Sequence, residues 1–202
     1  MWSLISRKTQ LTIIVGLTAI ILFGLQGFIE MATGSKPSGA RLLSVIVFVV
    51  GTVLVALFNI SWRWFWKKAP IMNKLFFPDL NGTWNGELKT TWVNPETGQS
   101  PGPIPATITI TQNLLDISVR QRTGESTSYS NRLIAEAEPN ADRYRLWYSY
   151  SNRPKAEFAY RSANHEGIAW LEINLSDDPN RLEGQYYTGR RTSGDMLFRR
   201  NP

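Results

Sequence analysis

Five arginines, Arg181, Arg190, Arg191, Arg199 and Arg200, fall in the last 22 residues against only Glu183 and Asp195, a local excess of three positive charges. They flank a hairpin-like stretch, YYTGRRTSG, that also holds Tyr186, Tyr187, Thr188 and Thr192. Guanidinium and hydroxyl groups on one hairpin can grip phosphate oxygens through paired, charge-assisted hydrogen bonds. The same composition also suits an exposed hairpin kept soluble by its charge. Upstream, Tyr148 and Tyr150 alternate along RYRLWYSY, and Gln112 ends the series Ile108, Ile110 in ATITITQ. These groups are candidates to line a polar cavity, or else to rest at its mouth with their polar tips in water.

Other chemistry is poorly represented. The chain has no cysteine, which excludes disulfides, thiolate metal sites and cysteine nucleophiles. Its single histidine, His165 in ANHEG, reads as a solvated turn residue with only Glu166 beside it. Asp177 and Asp178 precede Pro179 in SDDPN, where an Asx-type turn accounts for them. No glycine-rich phosphate loop, HExxH, GxSxG or acidic metal cluster occurs. We therefore expect no catalytic residues, no metal ligands and no cofactor: a binding protein rather than an enzyme.

The elements that carry these residues repeat with period two from Asp79 onward. TWNGEL sets Trp84, Gly86 and Leu88 against Thr83, Asn85 and Glu87, marking Trp84 as core; LDISVRQ offers Leu115, Ile117 and Val119. Further strands are expected near 126–137, 143–150, 156–162, 168–175, 181–188 and 195–200, making eight or nine, with Gly, Pro, Asn and Asp in the separators. Such strands fit a sandwich or a small closed antiparallel β-barrel of about eight strands, lipocalin-like; the barrel is favoured, and its interior would take side chains or one small ligand. Leu182, Gly184, Tyr186, Thr188 and Arg190 then share one face, and Leu146, Tyr148 and Tyr150 another. Alternation with Leu182 favours Tyr186 over Tyr187 as the inward ring, though one register slip would reverse it.

The first 60 residues are different in kind. Leu11–Ile29 and Leu42–Ile60 are uncharged runs of 19 residues, each close to the roughly 30 Å hydrocarbon thickness at about 1.5 Å per residue. They read as a two-helix transmembrane hairpin joined by EMATGSKPSGAR. A signal peptide fits poorly, because the first run is too long and lacks a small-residue cleavage site. Residues 1–74 carry eight Lys/Arg against one acid, Glu30, whereas residues 75–202 carry 14 basic and 15 acidic groups. The overall charge of +6 thus concerns lipid and topology rather than a polyanion. More cations flank the hairpin than occupy its loop, so both termini are expected in the cytoplasm. In SWRWFWKK, Trp62, Trp64 and Trp66 interleave with Arg63, Lys67 and Lys68, as suits a headgroup layer; a stacking platform for nucleic acid is the alternative. The expected organisation is a hairpin at 1–60, a juxtamembrane linker at 61–78 and a sensor domain at 79–202.

Two apolar runs, then LNGTWNGEL, ITITQNLLDISV, LWYSYSNRP and LEGQYYTGRRTSGDMLFRR, resemble the two-transmembrane β-strand-rich effectors of CBASS, the bacterial cyclic-oligonucleotide anti-phage system. The most distinctive matches are Gly184, Tyr186, Tyr187, Thr188, Arg190, Thr192, Gly194, Met196 and Phe198. The resemblance implies a multi-pass protein of the bacterial inner membrane whose cytoplasmic barrel binds a cyclic dinucleotide, or related cyclic oligonucleotide, made by a CD-NTase. It further implies a homo-oligomer that disrupts the lipid bilayer and no direct binding of DNA or RNA. The candidate ligand-binding residues are then Tyr186, Tyr187, Thr188, Arg190, Thr192, Tyr148, Tyr150 and Gln112. Two other readings stay open: a membrane-anchored lipocalin-like module for a lipid or hydrophobic metabolite, and a scaffold with a filled barrel.

Overall fold

The structure, a computed structural model, describes residues 7–36, 38–75, 77–113 and 116–201. The chain divides into two units, Trp2–Lys68 and the segment from Ala69 to Pro202. In the first, α1 (Arg7–Thr33) contains the apolar stretch Gln10–Ala32, whose 23 residues are long and apolar enough to cross a membrane. The second apolar run follows a less uniform path: α2 (Gly39–Phe48), a π-helical segment Val49–Leu54 and α3 (Val55–Lys68) succeed one another without a break. Val49, Val50, Thr52 and Val53 are β-branched and surround Gly51, a composition that weakens the ordinary α-helical repeat. Among the described residues, α1 is therefore the one α-helix that meets the length of a span by itself. In α3, Trp62 and Trp66 sit one turn apart with ring centroids at 5.5 Å and an edge-on contact.

After α4 (Ile71–Leu75) the second unit is an up-and-down barrel. Its strands are β1 (Gly82–Thr90), β2 (Ile104–Gln112), β3 (Ile117–Thr123), β4 (Ser126–Glu138), β5 (Arg143–Pro154), β6 (His165–Ile173), β7 (Arg181–Thr188) and β8 (Ser193–Arg200). Each pairs antiparallel with its sequence neighbours, and β8 returns to β1, closing an eight-stranded barrel without a free edge. A register shift between Ser130 and Arg132 bends the long β4 against β5. Leu115, expected in the third strand, lies outside the described residues.

The ninth strand expected at 156–162 is not formed. Ala156–Phe158 is a short 3-10 helix, and Ser162 N–H donates to the Phe158 carbonyl, so the segment's backbone hydrogen bonds are local. The reason is topological: β5 runs on to Pro154 and β6 begins at His165, and both are already paired on both sides. His165, expected in a turn, instead opens β6.

Alternating residues fill one end of the barrel. Trp84, Ile108, Leu146, Leu182 and Phe198 have no exposed surface, and Ile110, Tyr144, Leu171 and Ile173 have almost none. The chain entering β1 plugs that end: Phe77 and Leu80 are buried, with Phe77 edge-on to Tyr144 at 6.2 Å. Polar groups secure the plug. Gln112 accepts from Leu80 N–H at 2.8 Å and donates to the Pro78 carbonyl at 3.1 Å. Arg200 donates to the Asn81 and Asp79 carbonyls at 2.9 and 2.5 Å while lying 4.3 Å from the Trp84 ring centroid.

Candidate ligand-binding cavity

The other end of the barrel, bounded by the β1–β2, β3–β4, β5–β6 and β7–β8 connections, encloses a cavity of about 590 Å³. That lies within the roughly 300–1,000 Å³ usual for small-molecule sites. The register stacks its walls in layers. At the bottom Leu88, Leu146, Leu171 and Met196 mark the top of the core. Above them Tyr148, Ala169, Tyr186, Gly194 and Thr90 follow one another across β5, β6, β7, β8 and β1. The next layer is Tyr150, Gly167 and Thr188, and the rim carries Ser128, Asn152 and His165 across β4, β5 and β6.

Two of the tyrosines lie over glycines on the neighbouring strand. A Cβ at Gly167 would stand 2.4 Å from the Tyr150 hydroxyl, and one at Gly194 would stand 2.7 Å from the Tyr186 hydroxyl. The missing side chains are what let these rings approach the wall so closely. Tyr148 and Tyr150 sit 6.3 Å apart with their rings tilted by 53°. Burial raises the pKa of both hydroxyls; Tyr150 is pushed up to about 12, with Tyr186 adding to the rise and Arg190 opposing it. The rings are thus neutral hydrogen-bond donors as well as apolar faces.

The β7–β8 turn is held by its threonines. The Thr188 and Thr192 hydroxyls are 2.7 Å apart, Thr188 N–H donates to the Thr192 carbonyl at 2.8 Å, and Arg191 takes the left-handed conformation at φ 64°. Arg190 at the turn's tip is exposed and donates to the Ser162 hydroxyl at 3.1 Å. Arg161, from the same β5–β6 connection, pairs with Glu125 at 2.6 Å and rests 5.0 Å from the Phe158 ring centroid. Two guanidinium groups therefore border a cavity whose walls are aromatic and hydroxylated. Such a surface combines stacking faces with donors for an anionic ligand.

Of the residues singled out from the sequence, Tyr148, Tyr150, Tyr186, Thr188, Arg190 and Thr192 line this one cavity. Tyr187 and Gln112 do not. Tyr187 is 46 % exposed on the outer wall, where its hydroxyl donates to Gln185 at 2.8 Å, because it is the odd neighbour of inward Tyr186. Gln112 does face inward but at the plugged end, where the backbone of residues 78–80 uses its amide. Sequence reasoning missed Ser128, Asn152, Arg161, Ser162 and His165, which also line the cavity. The signal for Asn152 was its even spacing from Tyr148 and Tyr150.

His165 is partly buried, with Nδ1 3.1 Å from the Ala163 carbonyl. Burial lowers its pKa most; the Ala163 contact raises it and Arg190 lowers it, and the net direction is down. Among the described residues, no group of three or more His, Asp or Glu is placed to hold a metal ion.

Known proteins resemble this chain over much of its length. CD-NTase-associated protein 15 of Staphylococcus schleiferi is 29 % identical over 137 residues, covering 68 % of each chain. Residues 75–200, which contain the whole barrel, match the family described as Cap15, cyclic dinucleotide receptor domain. The chain belongs to that family and is a CBASS effector of the Cap15 type, whose barrel is a cyclic dinucleotide receptor domain.

Proposed function

We propose that the cavity at the open end of the barrel is the messenger-binding site, and that its occupation makes the protein assemble and breach the bacterial inner membrane. Tyr148, Tyr150 and Tyr186 supply stacking faces for the bases, and Arg190, Thr188 and Thr192 supply donors to the phosphates. The observation that carries this reading is the convergence of three tyrosines and the β7–β8 hairpin on one 590 Å³ cavity in a chain of the cyclic dinucleotide receptor family.

A ligand can drive such a change only by favouring one association state over another. The apolar stretch of α1 and the helical succession from Gly39 to Lys68 act as two spans, with both termini in the cytoplasm. Support for the second span is the uncharged run between Arg41 and Arg63. Assembly of barrels through their short connection to the spans crowds paired helices in the bilayer and disorders it.

The test is dye entry in cells carrying the full-length protein with a partner CD-NTase. Leakage is expected with an active synthase and not with a catalytically dead one. Leakage that ignores synthase activity at native expression would refute the gating, and exclusion of dye under both conditions would refute membrane disruption.

A further inference from the structure

His165 is the chain's single histidine, and the structure gives its ring a fixed hydrogen-bonding sense. A carbonyl oxygen only accepts, so the 3.1 Å contact with Ala163 requires the proton on Nδ1. The ring nitrogen left for a ligand is Nε2, which in the neutral ring is an acceptor. Beside it on the rim, Asn152 is its register partner across β5–β6 and is 6 % exposed. The Ser128 hydroxyl donates to Asn152 Oδ1 at 2.8 Å, which leaves the amide N–H groups as donors. An acceptor and a donor on adjacent strands, above aromatic walls, complement the pairing edge of a nucleobase, where an N–H lies next to an acceptor.

Building on the messenger-site reading above, we propose that His165 and Asn152 are base-reading residues: Nε2 of neutral His165 accepts an N–H of the ligand's base and the Asn152 amide donates to the neighbouring acceptor, while Arg190 takes the phosphate. The charged and titratable groups that line the cavity with the histidine fit the assignment. Arg190 on the β7–β8 turn and Arg161 on the β5–β6 connection are cationic, Arg161 is held by Glu125 of the β3–β4 turn, and Tyr150 is neutral. Burial and the nearby Arg190 lower the pKa of the ring and so favour its uncharged form, which disfavours it as a second phosphate ligand.

The test uses the full chain in lipid nanodiscs with nitrogen-labelled histidine, so that its one imidazole gives an unambiguous NMR signal. Cyclic di-AMP, cyclic di-GMP and cyclic di-UMP are the probes. The free protein should show the Nδ1–H form, and the dinucleotide that binds should shift Nε2 in the sense of an accepted hydrogen bond. Affinity should fall on acidification through the ring's lowered pKa, by up to about tenfold per pH unit. His165→Gln, which keeps an acceptor near Nε2, should bind within roughly threefold of wild type at neutral pH and lose the pH dependence, whereas His165→Ala should bind roughly three- to tenfold more weakly. An affinity that rises on acidification, with the ring protonating as ligand binds, would make His165 a phosphate contact and overturn the assignment. So would saturating binding that leaves Nε2 unmoved. Binding by none of the three dinucleotides would remove the messenger-site reading itself, and this assignment with it.

Discussion

Replacing Gly194 by alanine adds one methyl group at a place with no room for it. Its Cβ would lie 2.3 Å from the Lys89 carbonyl oxygen on β1 and 2.7 Å from both Cε1 and the hydroxyl of Tyr186 on β7. Its φ is not in the left-handed region, so the cost arises from crowding rather than from backbone strain. Lys89 is held in the β1–β8 ladder and cannot retreat alone, which leaves Tyr186 to swing off the wall. Overpacking of this kind costs about 1–3 kcal/mol, and each kcal/mol lowers the melting temperature by roughly 2–8 °C in domains of this size range. Tyr186 displaced from its seat also loses its stacking geometry, worth about 1–3 kcal/mol per base, so cyclic dinucleotide affinity should fall roughly tenfold or more. Thermal melts followed by the β-sheet circular dichroism of the full chain, with calorimetry on the same samples, measure both effects. Gly102→Ala is the control, since a Cβ there meets nothing within 4 Å. A Gly194→Ala protein that melts and binds like wild type would show that Tyr186 does not depend on this glycine, and the stated cavity geometry would be wrong.

Arg190→Ala should weaken dinucleotide binding by roughly ten- to hundredfold, the cost of about 1.5–3 kcal/mol for one charge-assisted contact, while the melt stays near wild type because Arg190 is exposed; calorimetry beside circular dichroism separates the two. Gln112→Leu should show the opposite pattern, leaving Leu80 N–H and the Pro78 carbonyl without their buried partner for a loss of about 1–3 kcal/mol each, with affinity unchanged because Gln112 lies at the plugged end; melts and titrations of the same protein check this. Reporter fusions at each terminus, or protease protection of oriented vesicles, should place both termini in the cytoplasm, and a barrel found on the far side of the inner membrane would contradict sensing of a cytoplasmic messenger.

How far the sequence can be read depends on how apolar the barrel's interior is. Where the inner face is hydrophobic, as at Trp84 and Leu88 or Ile108 and Ile110, alternation marks both the strand and its buried side. The same contrast orients Tyr186 inward from Leu182. Toward the open end the inner face turns polar, and the contrast fades. Ser128, Asn152 and His165 line the cavity rather than the apolar core, so the ends of β4, β5 and β6 have the composition of loops. Asn164, His165 and Gly167 read as turn chemistry, although Gly167 is there for the close approach of Tyr150. The apparent strand at 156–162 is the converse case: its residues alternate, but a closed barrel offers no edge for it. Gln112 was legible as inward-facing, but which end of the barrel it faced depended on the plug before β1, whose partners are more than 30 residues away.

The messenger site is tested most directly by a calorimetric titration of the full chain in lipid nanodiscs with a panel of cyclic dinucleotides, repeated on Tyr186→Ala and on Tyr187→Ala. Saturable binding of one dinucleotide per barrel is expected, weakened roughly tenfold or more by Tyr186→Ala and unaffected by Tyr187→Ala, because the first ring lines the cavity and the second lies on the outer wall. Equal sensitivity to both substitutions, or dinucleotide binding that survives loss of Tyr186, would place the messenger elsewhere and contradict the assignment of this cavity.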